Sequence, residues 1–285
     1  MKRRTFLKLM GAGALTTIGG GALYLRDNDM IRPLKREGQV LADLHSHPAN
    51  YKSLDETLEM LSSGLTGLAF IDCGAANKIL TYEQAIKLPG AEEVDSGLFA
   101  KITSNGKRGY FVKAQEILSD FHILVIGAKE KIPYFEDARK VVEEARKLNP
   151  ALIQLNHPYV VANNHPIIKY RFINEEEERK VRELCQMVDQ VEVFNAQNIN
   201  TLVPGIPNMN LANYKAKILA EEFGFNGTAS SDAHLRLEQV GISGIYLDEK
   251  NLNLDSLKEQ VKRGNFERRE QYVSRWSFGL GMFVG

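Results

Sequence analysis

The sequence is poor in cysteine and has no excess of charge of either sign, and both features limit what the protein can be. Its two cysteines, Cys73 and Cys185, are too few and too far apart for a disulfide scaffold or a cysteine-only zinc site. The 36 basic and 36 acidic side chains cancel, and the chain beyond residue 30 carries a charge of about −3. We therefore expect no specific nucleic-acid binding. Any metal must be held mainly by histidine, aspartate and glutamate.

The N-terminus resembles an export signal. Residues 3–8, Arg-Arg-Thr-Phe-Leu-Lys, match the twin-arginine pattern and precede a weakly hydrophobic Gly/Ala-rich run. We expect residues 1–30 to engage the twin-arginine export machinery and the protein to act in the periplasm or another extracytoplasmic space. No clear Ala-x-Ala cleavage site follows, so the alternative of an uncleaved anchor in contact with the membrane stays open, as does a chance basic start.

The remainder predicts one α/β domain. After a polar linker at residues 31–38, short apolar strands alternate with amphipathic helices over residues 39–285. This alternation is typical of a parallel barrel with helices outside, and the length suits one. Strands are expected at residues 40–47, 67–72, 110–117, 122–126, 151–155, 190–194 and 225–230, and helices at residues 138–148, 211–223 and 254–261, the last ended by Gly264. Capping boxes at residues 53–56 and at Asn174 with Glu177 indicate the starts of two further helices.

Two histidines, His45 and His47, end the first apolar strand. Alternate residues of a strand face the same side, so both imidazoles can reach one point, plausibly a metal ion. Asp232 and His234 repeat this spacing near the end of the chain.

Other polar residues stand at predicted strand ends. The full set of strand-end candidates is His45, His47, Asp72, His157, Glu192, Asn195, Asp232 and His234. In a parallel barrel these ends share one face, where active sites are built. Imidazole with carboxylate suits zinc, manganese or iron, and the number of ligands favours two or three ions, with Glu116 as our choice of bridge.

These residues resemble the polymerase and histidinol phosphatase (PHP) domain over most of residues 40–266. Residues 42–47, 67–72, 114–117, 156–158 and 231–234 are similar to its successive motifs. The resemblance implies a distorted (β/α)7, TIM-like barrel with metal-dependent phosphoesterase activity. It also implies these metal ligands: His45, His47, Asp72, Glu116, His157, Asp232 and His234. His122 is equally a ligand or a structural histidine, and Glu192 and Asn195 are weak ligands or supports of the ligands.

The chain departs from the family pattern at two places. Cys73 stands where the family commonly has histidine, and residues 48–58 contain no further histidine. Two ions are therefore expected, and a third is left open.

The expected reaction is hydrolysis of a small phosphate mono- or diester by a metal-activated water. We assign catalytic roles to His157, Asp232 and Arg236. Lys169 and Arg171 are further candidate cations, and a solvated surface position is an equal alternative for each of the three basic side chains. The alternatives are an amidohydrolase-type metal hydrolase, which also opens with His-x-His, and a non-catalytic exported metal-binding protein.

Overall fold

The structure is a computed structural model that describes residues 36–47, 65–66, 68–71, 82–95, 97–104, 107–162, 170–199, 208–233 and 239–274. The predicted leader and the capping box at residues 53–56 lie outside these ranges, and the predicted domain boundaries stay predictions. In the described ranges, no helix is long and apolar enough to cross a membrane.

Strands and helices both contribute, so the expected mixed α/β class is confirmed. The strands are β1 (Gln39–Ala42), β2 (Leu65–Thr66), β3 (Leu68–Ile71), β4 (Ala91–Asp95), β5 (Phe99–Ser104), β6 (Lys107–Leu118), β7 (His122–Ile126), β8 (Leu152–Leu155), β9 (Val160–Ala162), β10 (Tyr170–Phe172), β11 (Gln190–Asn195), β12 (Thr228–Ser230), β13 (Gly244–Asp248) and β14 (Glu267–Arg269). The helices are α1 (Tyr82–Ala85), α2 (Ala138–Lys147), α3 (Glu175–Cys185), α4 (Asn210–Glu222) and α5 (Leu254–Arg263).

Local sequence explains the helix ends. Asn174 accepts a hydrogen bond from the backbone of Glu177, whose side chain accepts in return from the backbone of Asn174, which confirms the predicted capping box of α3. Helix α5 starts after Asn253, which accepts from the backbone of Ser256, and ends at Gly264 in the left-handed conformation. Buried apolar residues of each helix pack onto the sheets.

The strands form one large sheet and two smaller ones. The large sheet runs in the order β12-β11-β8-β7-β6-β5-β4, with β3 also paired to β6, while β14-β13-β1-β2 and β10-β9 form the others. Strands β8, β11 and β12 are parallel because helices α3 and α4 carry the chain back between them.

The expectation of a fully parallel sheet is wrong around β7, which is antiparallel to both β6 and β8. The physical reason is the short connection between β6 and β7, residues 119–121, which is too short for a parallel crossover. The antiparallel β4–β5 hairpin was not predicted, because the charged, largely exposed β4 shows no apolar run. Closure of the strands into a seven-fold barrel stays a prediction.

The two larger sheets meet where β1 and β12 end. Asp232 donates its backbone N–H to the carbonyl of His45 at 2.8 Å, and His47 donates to the carbonyl of Ala233 at 2.9 Å. The buried Asp43 side chain accepts hydrogen bonds from Ser231 and from the backbone of Gly241. These contacts bring the first and last sequence motifs side by side.

We expect Gly227→Ala to lower the free energy of unfolding by about 2 to 4 kcal/mol, because two penalties add. Gly227 has φ +71°, and a Cβ there would lie 2.3 Å from Cγ1 of Val193, a stiff and buried side chain. Gly224→Ala is the matched control, since φ is +74° and nothing lies within 4 Å of the added Cβ. It should cost only about 1 kcal/mol in urea unfolding. Equal losses in the two variants would contradict the overlap with Val193.

Candidate metal centre

Five described loops and strands bring imidazoles and carboxylates to one end of the sheets. His45 and His47 follow β1, Asp232 follows β12 and His157 follows β8. His45 and His47 were expected within the first strand, but they lie just beyond it. Their ring centroids are nevertheless only 5.3 Å apart. Glu116 lies near the end of β6. His122 opens β7 and reaches the same place because β7 runs antiparallel to β6.

The side chains form three overlapping groups whose possible ligand atoms all lie within 4.8 Å of one another. The groups are His45, His157 and Asp232; His45, His47 and Glu116; and Glu116, His122 and His157. These buried groups are consistent with metal ions, because neutral imidazole and carboxylate are common ligands of divalent transition metals.

Glu116 is shared between two of these groups. Its Oε1 lies 3.1 Å from Nε2 of His45 and 3.3 Å from Nδ1 of His122, and its Oε2 lies 3.4 Å from Nε2 of His47. Its carboxylate oxygens thus face histidines on two sides.

The donor atoms of His45 fit a metal ion. Its Nδ1 donates to Oε1 of Glu192 at 2.8 Å, which leaves Nε2 directed at the cluster. Nε2 lies 3.1 Å from Glu116 and 3.2 Å from Oδ1 of Asp232, but it is buried and makes no hydrogen bond of acceptable geometry within the described residues. An imidazole nitrogen directed at two carboxylate oxygens is arranged as a metal ligand is.

Without an ion, the charges within the cluster balance one another. Burial by itself lowers the pKa of His45, but the carboxylates of Asp232, Glu192 and Glu116 outweigh it and hold that pKa well above its ordinary value. Burial likewise raises the pKa of Glu116, and the positive charges of His45 and His122 reverse the shift and hold it well below its ordinary value. In the metal-free site these shifts favour the protonated form of His45 and the ionised form of Glu116.

His157 differs from His45 in its ionisation. Burial lowers its pKa, and the neighbouring charge of His122 adds to the effect. A neutral imidazole is the form that binds metal, so His157 is in the binding form at neutral pH.

Glu192 acts as a support for the ligands in this geometry. Its Oε1 accepts from His45 and from the hydroxyl of Ser230, and its Oε2 accepts from the backbone of His157 at 2.8 Å and from Asn195 at 3.1 Å. Both oxygens are occupied and Glu192 belongs to none of the three groups, which favours a supporting role over direct ligation. Asn195 also donates to Oδ2 of Asp232 at 2.9 Å, so it supports both carboxylates.

A chain of buried hydrogen bonds orients Glu116. Thr228 donates to Gln154, Gln154 donates to Asn156, and Asn156 donates to Oε1 of Glu116 at 2.8 Å. Because each group in this chain donates towards Glu116, the carboxylate receives an N–H donor, and that hydrogen bond stabilises its ionised form. These roles of Gln154 and Asn156 were not predicted from the sequence, although Asn156 directly precedes His157 in the motif at residues 156–158.

Two candidate ligands have strained backbones. His157 has φ +24° and Asp232 has φ +47°, values that non-glycine residues seldom adopt. Each is held there by backbone hydrogen bonds, from His157 N–H to Glu192 and from Asp232 N–H to the carbonyl of His45. Such strain is typical of functional sites.

The structure brings together six of the predicted ligands, and Glu192 and Asn195, predicted as weak ligands or supports, contact them. The six are His45, His47, Glu116, His122, His157 and Asp232. Asp72, Cys73, Lys169, His234 and Arg236 lie outside the described residues, so their roles stay predictions. Arg171 pairs with Glu177 through bonds of 2.8 and 2.6 Å, which favours the surface interpretation. Cys185 is buried, and burial raises the pKa of its thiol to about 12.

Asp43 is a polar residue that the sequence analysis missed. Burial raises its pKa to about 7, opposed by the hydrogen bonds from Ser231 and Gly241. Its position two residues before His45, within the first motif, was the sequence feature that could have indicated a role at the site.

Residues 210–266 match the family model described as PHP-associated, PHP_C. This range is less than half of the chain, so membership of the PHP family remains an expectation. No curated protein matches the sequence.

Two solved structures are similar to the chain. The novel lesion-specific endonuclease PfuEndoQ from Pyrococcus furiosus is 17% identical, with a TM-score of 0.48, over 81% of this chain and 57% of that one. An Endonuclease Q complex with a 27-mer duplex substrate carrying an abasic lesion at the active site is 15% identical, with a TM-score of 0.46, over 81% and 58%. The chain thus spans less than two thirds of either endonuclease, and likeness this weak carries no argument about its reaction.

We expect metal binding at pH 7 to release protons, because His45 must lose the Nε2 proton that its raised pKa retains. Affinity should therefore rise with pH across neutrality. Calorimetric titration of metal-free protein with Mn²⁺ in buffers of different ionisation enthalpy measures the protons released. Heats that do not depend on the buffer would contradict a protonated His45.

Proposed function

We propose that the protein is a metal-dependent phosphoesterase that hydrolyses a small phosphate mono- or diester. The proposal combines a buried cluster of imidazole and carboxylate groups with the sequence resemblance to the PHP domain. The match of residues 210–266 to the PHP-associated family adds to that resemblance.

The observation that carries the proposal is the shared position of Glu116. A carboxylate with oxygens facing His45, His47 and His122 suits a bridge between two ions. Paired divalent ions are typical of phosphoesterases, where they flank the attacking and leaving oxygens. We propose two ions of zinc, manganese or iron. His45, His47, Glu116, His157 and Asp232 are the described residues that would hold them, with His122 beside Glu116.

When bound, divalent ions of this kind lower the pKa of water and neutralise charge on phosphoryl oxygens. Hydrogen bonds from neighbouring described side chains orient the candidate ligands. Glu192 holds the Nδ1 proton of His45, so that Nε2 is the atom presented to the ion. Asn195 holds Asp232, and Asn156 holds Glu116, which limits the movement of both carboxylates. In this proposal Arg236 supplies positive charge to the substrate phosphate.

The amidohydrolase alternative rests on the shared His-x-His opening. That class usually has a carbamylated lysine as its bridge, whereas the shared residue here is the carboxylate of Glu116. The non-catalytic alternative rests on the departures from the family pattern at Cys73 and after the first motif.

One experiment separates the three. Metal content per chain is measured on natively purified protein, and the same sample is assayed for phosphate release from mono- and diesters, for amide and lactone hydrolysis, and for cleavage of duplex DNA. The proposal predicts bound transition metal and phosphate-ester hydrolysis. Fewer than one ion per chain, or activity on amides and lactones alone, would contradict it. From the slightly acidic charge we expect no cleavage of duplex DNA.

We expect Asp232→Asn to lower kcat/KM for the best phosphate ester at least a hundredfold and to weaken metal binding, because the carboxylate faces both His45 and His47 at 3.2 Å. Asp137→Asn is the control, since Asp137 caps α2, belongs to none of the three groups of candidate ligands, and asparagine caps equally well. Wild-type activity in the Asp232→Asn variant would exclude a role for this carboxylate.

We also propose that the protein acts outside the cytoplasm after twin-arginine export. The support is the residue 3–8 motif alone. Replacing Arg3 and Arg4 by lysine should keep the protein in the cytoplasm on cell fractionation. Export at the wild-type level would remove the basis of this proposal.

A further inference from the structure

Asn213 is a polar residue on the buried face of helix α4. The other buried residues of that face are apolar and belong to the core that also contains strand β11: Ala212, Ala216, Leu219 and Ala220. Asn213 itself is only 4% exposed. Burying a side-chain amide costs free energy unless its donors and its acceptor find partners, so this position requires groups that satisfy it.

The amide of Asn213 holds the backbone of Asn195, the last residue of β11, at two points. Its Oδ1 accepts from the N–H of Asn195 at 3.1 Å, and its Nδ2 donates to the carbonyl of Asn195 at 3.0 Å. Because a backbone N–H only donates and a carbonyl only accepts, this pair of bonds forms in one orientation of the amide. Asn198 donates to the same Oδ1 at 2.9 Å, and Nδ2 also donates to the hydroxyl of Tyr272 at 3.2 Å. Both donors and both acceptor positions of Asn213 are thus used.

The chain after β14 contacts the same strand end. The ring centroids of Tyr272 and Phe194 are 4.7 Å apart, and Val273 donates its N–H to the carbonyl of Ala196 at 3.1 Å. The residues before and after Asn195 are therefore held as well as Asn195 itself. Helix α4 and the C-terminal segment together fix the end of β11.

A fixed backbone at Asn195 fixes its side chain, which contacts the candidate metal centre. Its Oδ1 accepts from the N–H of Gln197 at 2.9 Å. Its Nδ2 donates to Glu192 at 3.1 Å and to Oδ2 of Asp232 at 2.9 Å. The other oxygen of Asp232, Oδ1, lies 3.2 Å from Nε2 of His45. The bond from Asn195 therefore holds one oxygen of Asp232 and turns the other towards the candidate ligands.

We propose that Asn213 is a positioning residue for metal binding, which holds the backbone of Asn195 and so sets the direction of Oδ1 of Asp232 within the centre. The inference rests on the proposed function, because it concerns the ions that this function requires. Asn213 belongs to none of the three groups of candidate ligands, and its effect passes through Asn195.

The test measures Mn²⁺ affinity by calorimetric titration of metal-free wild type, Asn213→Ala and Gln190→Ala. Gln190 is the matched control, a buried amide at the other end of β11 that also bonds two backbone groups, the carbonyl of Val261 at 2.9 Å and the N–H of Gly227 at 3.2 Å. Loss of a group that supports a ligand costs roughly ten- to a hundredfold in metal affinity. We expect Asn213→Ala to raise the Mn²⁺ dissociation constant about tenfold. Gln190→Ala should keep the wild-type constant, although both variants lower the melting temperature.

A double variant separates positioning from a general loosening of the fold. Asn195→Ala removes the amide that reaches Asp232 but keeps the backbone that Asn213 holds. If Asn213 acts through that amide, the variant carrying both Asn195→Ala and Asn213→Ala should bind Mn²⁺ no more weakly than Asn195→Ala alone. Additive losses would overturn the proposal. A wild-type dissociation constant in Asn213→Ala, or an equal loss in Gln190→Ala, would overturn it too.

Asn213→Ser is the second variant should Asn213→Ala not fold, since it keeps a polar group and leaves room for water at the buried position. One hydroxyl replaces the paired donor and acceptor that hold Asn195, so the same weakening of Mn²⁺ binding is expected. The two levels of the argument fail separately. A wild type that binds no divalent transition metal contradicts the proposed function, whereas a wild type that binds Mn²⁺ beside an unaffected Asn213→Ala variant contradicts only the role of Asn213.

Discussion

The structure depends on the concentration of negative charge around one buried imidazole. Glu116, Glu192 and Asp232 all lie within 3.2 Å of nitrogen atoms of His45, which is fully buried. Burying several carboxylates costs much free energy unless positive charge and hydrogen bonds compensate. The raised pKa of His45 favours a proton on its ring in the metal-free protein, and divalent ions would provide more positive charge. The same requirement explains why each carboxylate also receives donors: Asn156 for Glu116, Asn195 for Asp232, and Ser230 with the His157 backbone for Glu192.

The fold meets this requirement by bringing distant strand ends together. Parallel pairing of β8, β11 and β12 places His157, Glu192 and Asp232 at one edge, and the short turn between β6 and β7 adds His122 beside Glu116. Backbone bonds between the segments after β1 and β12 then bring His45 against Asp232. The β9–β10 hairpin begins three residues after His157, and Val160 donates its backbone N–H to the carbonyl of His157.

Part of this arrangement could be predicted because its causes are local. Short stretches of sequence indicated the capping box at Asn174 and Glu177 and the glycine that ends α5. The structure contains both helices with these ends. The spacing of His45 and His47 indicated a shared target in the same way. The direction of β7 was not visible, because its apolar run is equally compatible with parallel and antiparallel neighbours. The amide chain from Thr228 to Asn156 was also hidden, since hydrogen bonds between residues 74 positions apart leave no local pattern.

The sequence by itself therefore determined the mixed α/β class, the main helix boundaries, and the residue types that could hold a metal. Those properties follow from periodicity, capping and ligand chemistry, which act over a few residues. Only the tertiary structure decided that Glu116 is shared between groups of histidines, and that the geometry of Glu192 favours orienting His45 over binding an ion. The reason is that these roles depend on which oxygen or nitrogen points where, and that direction is set by contacts between segments far apart in the chain.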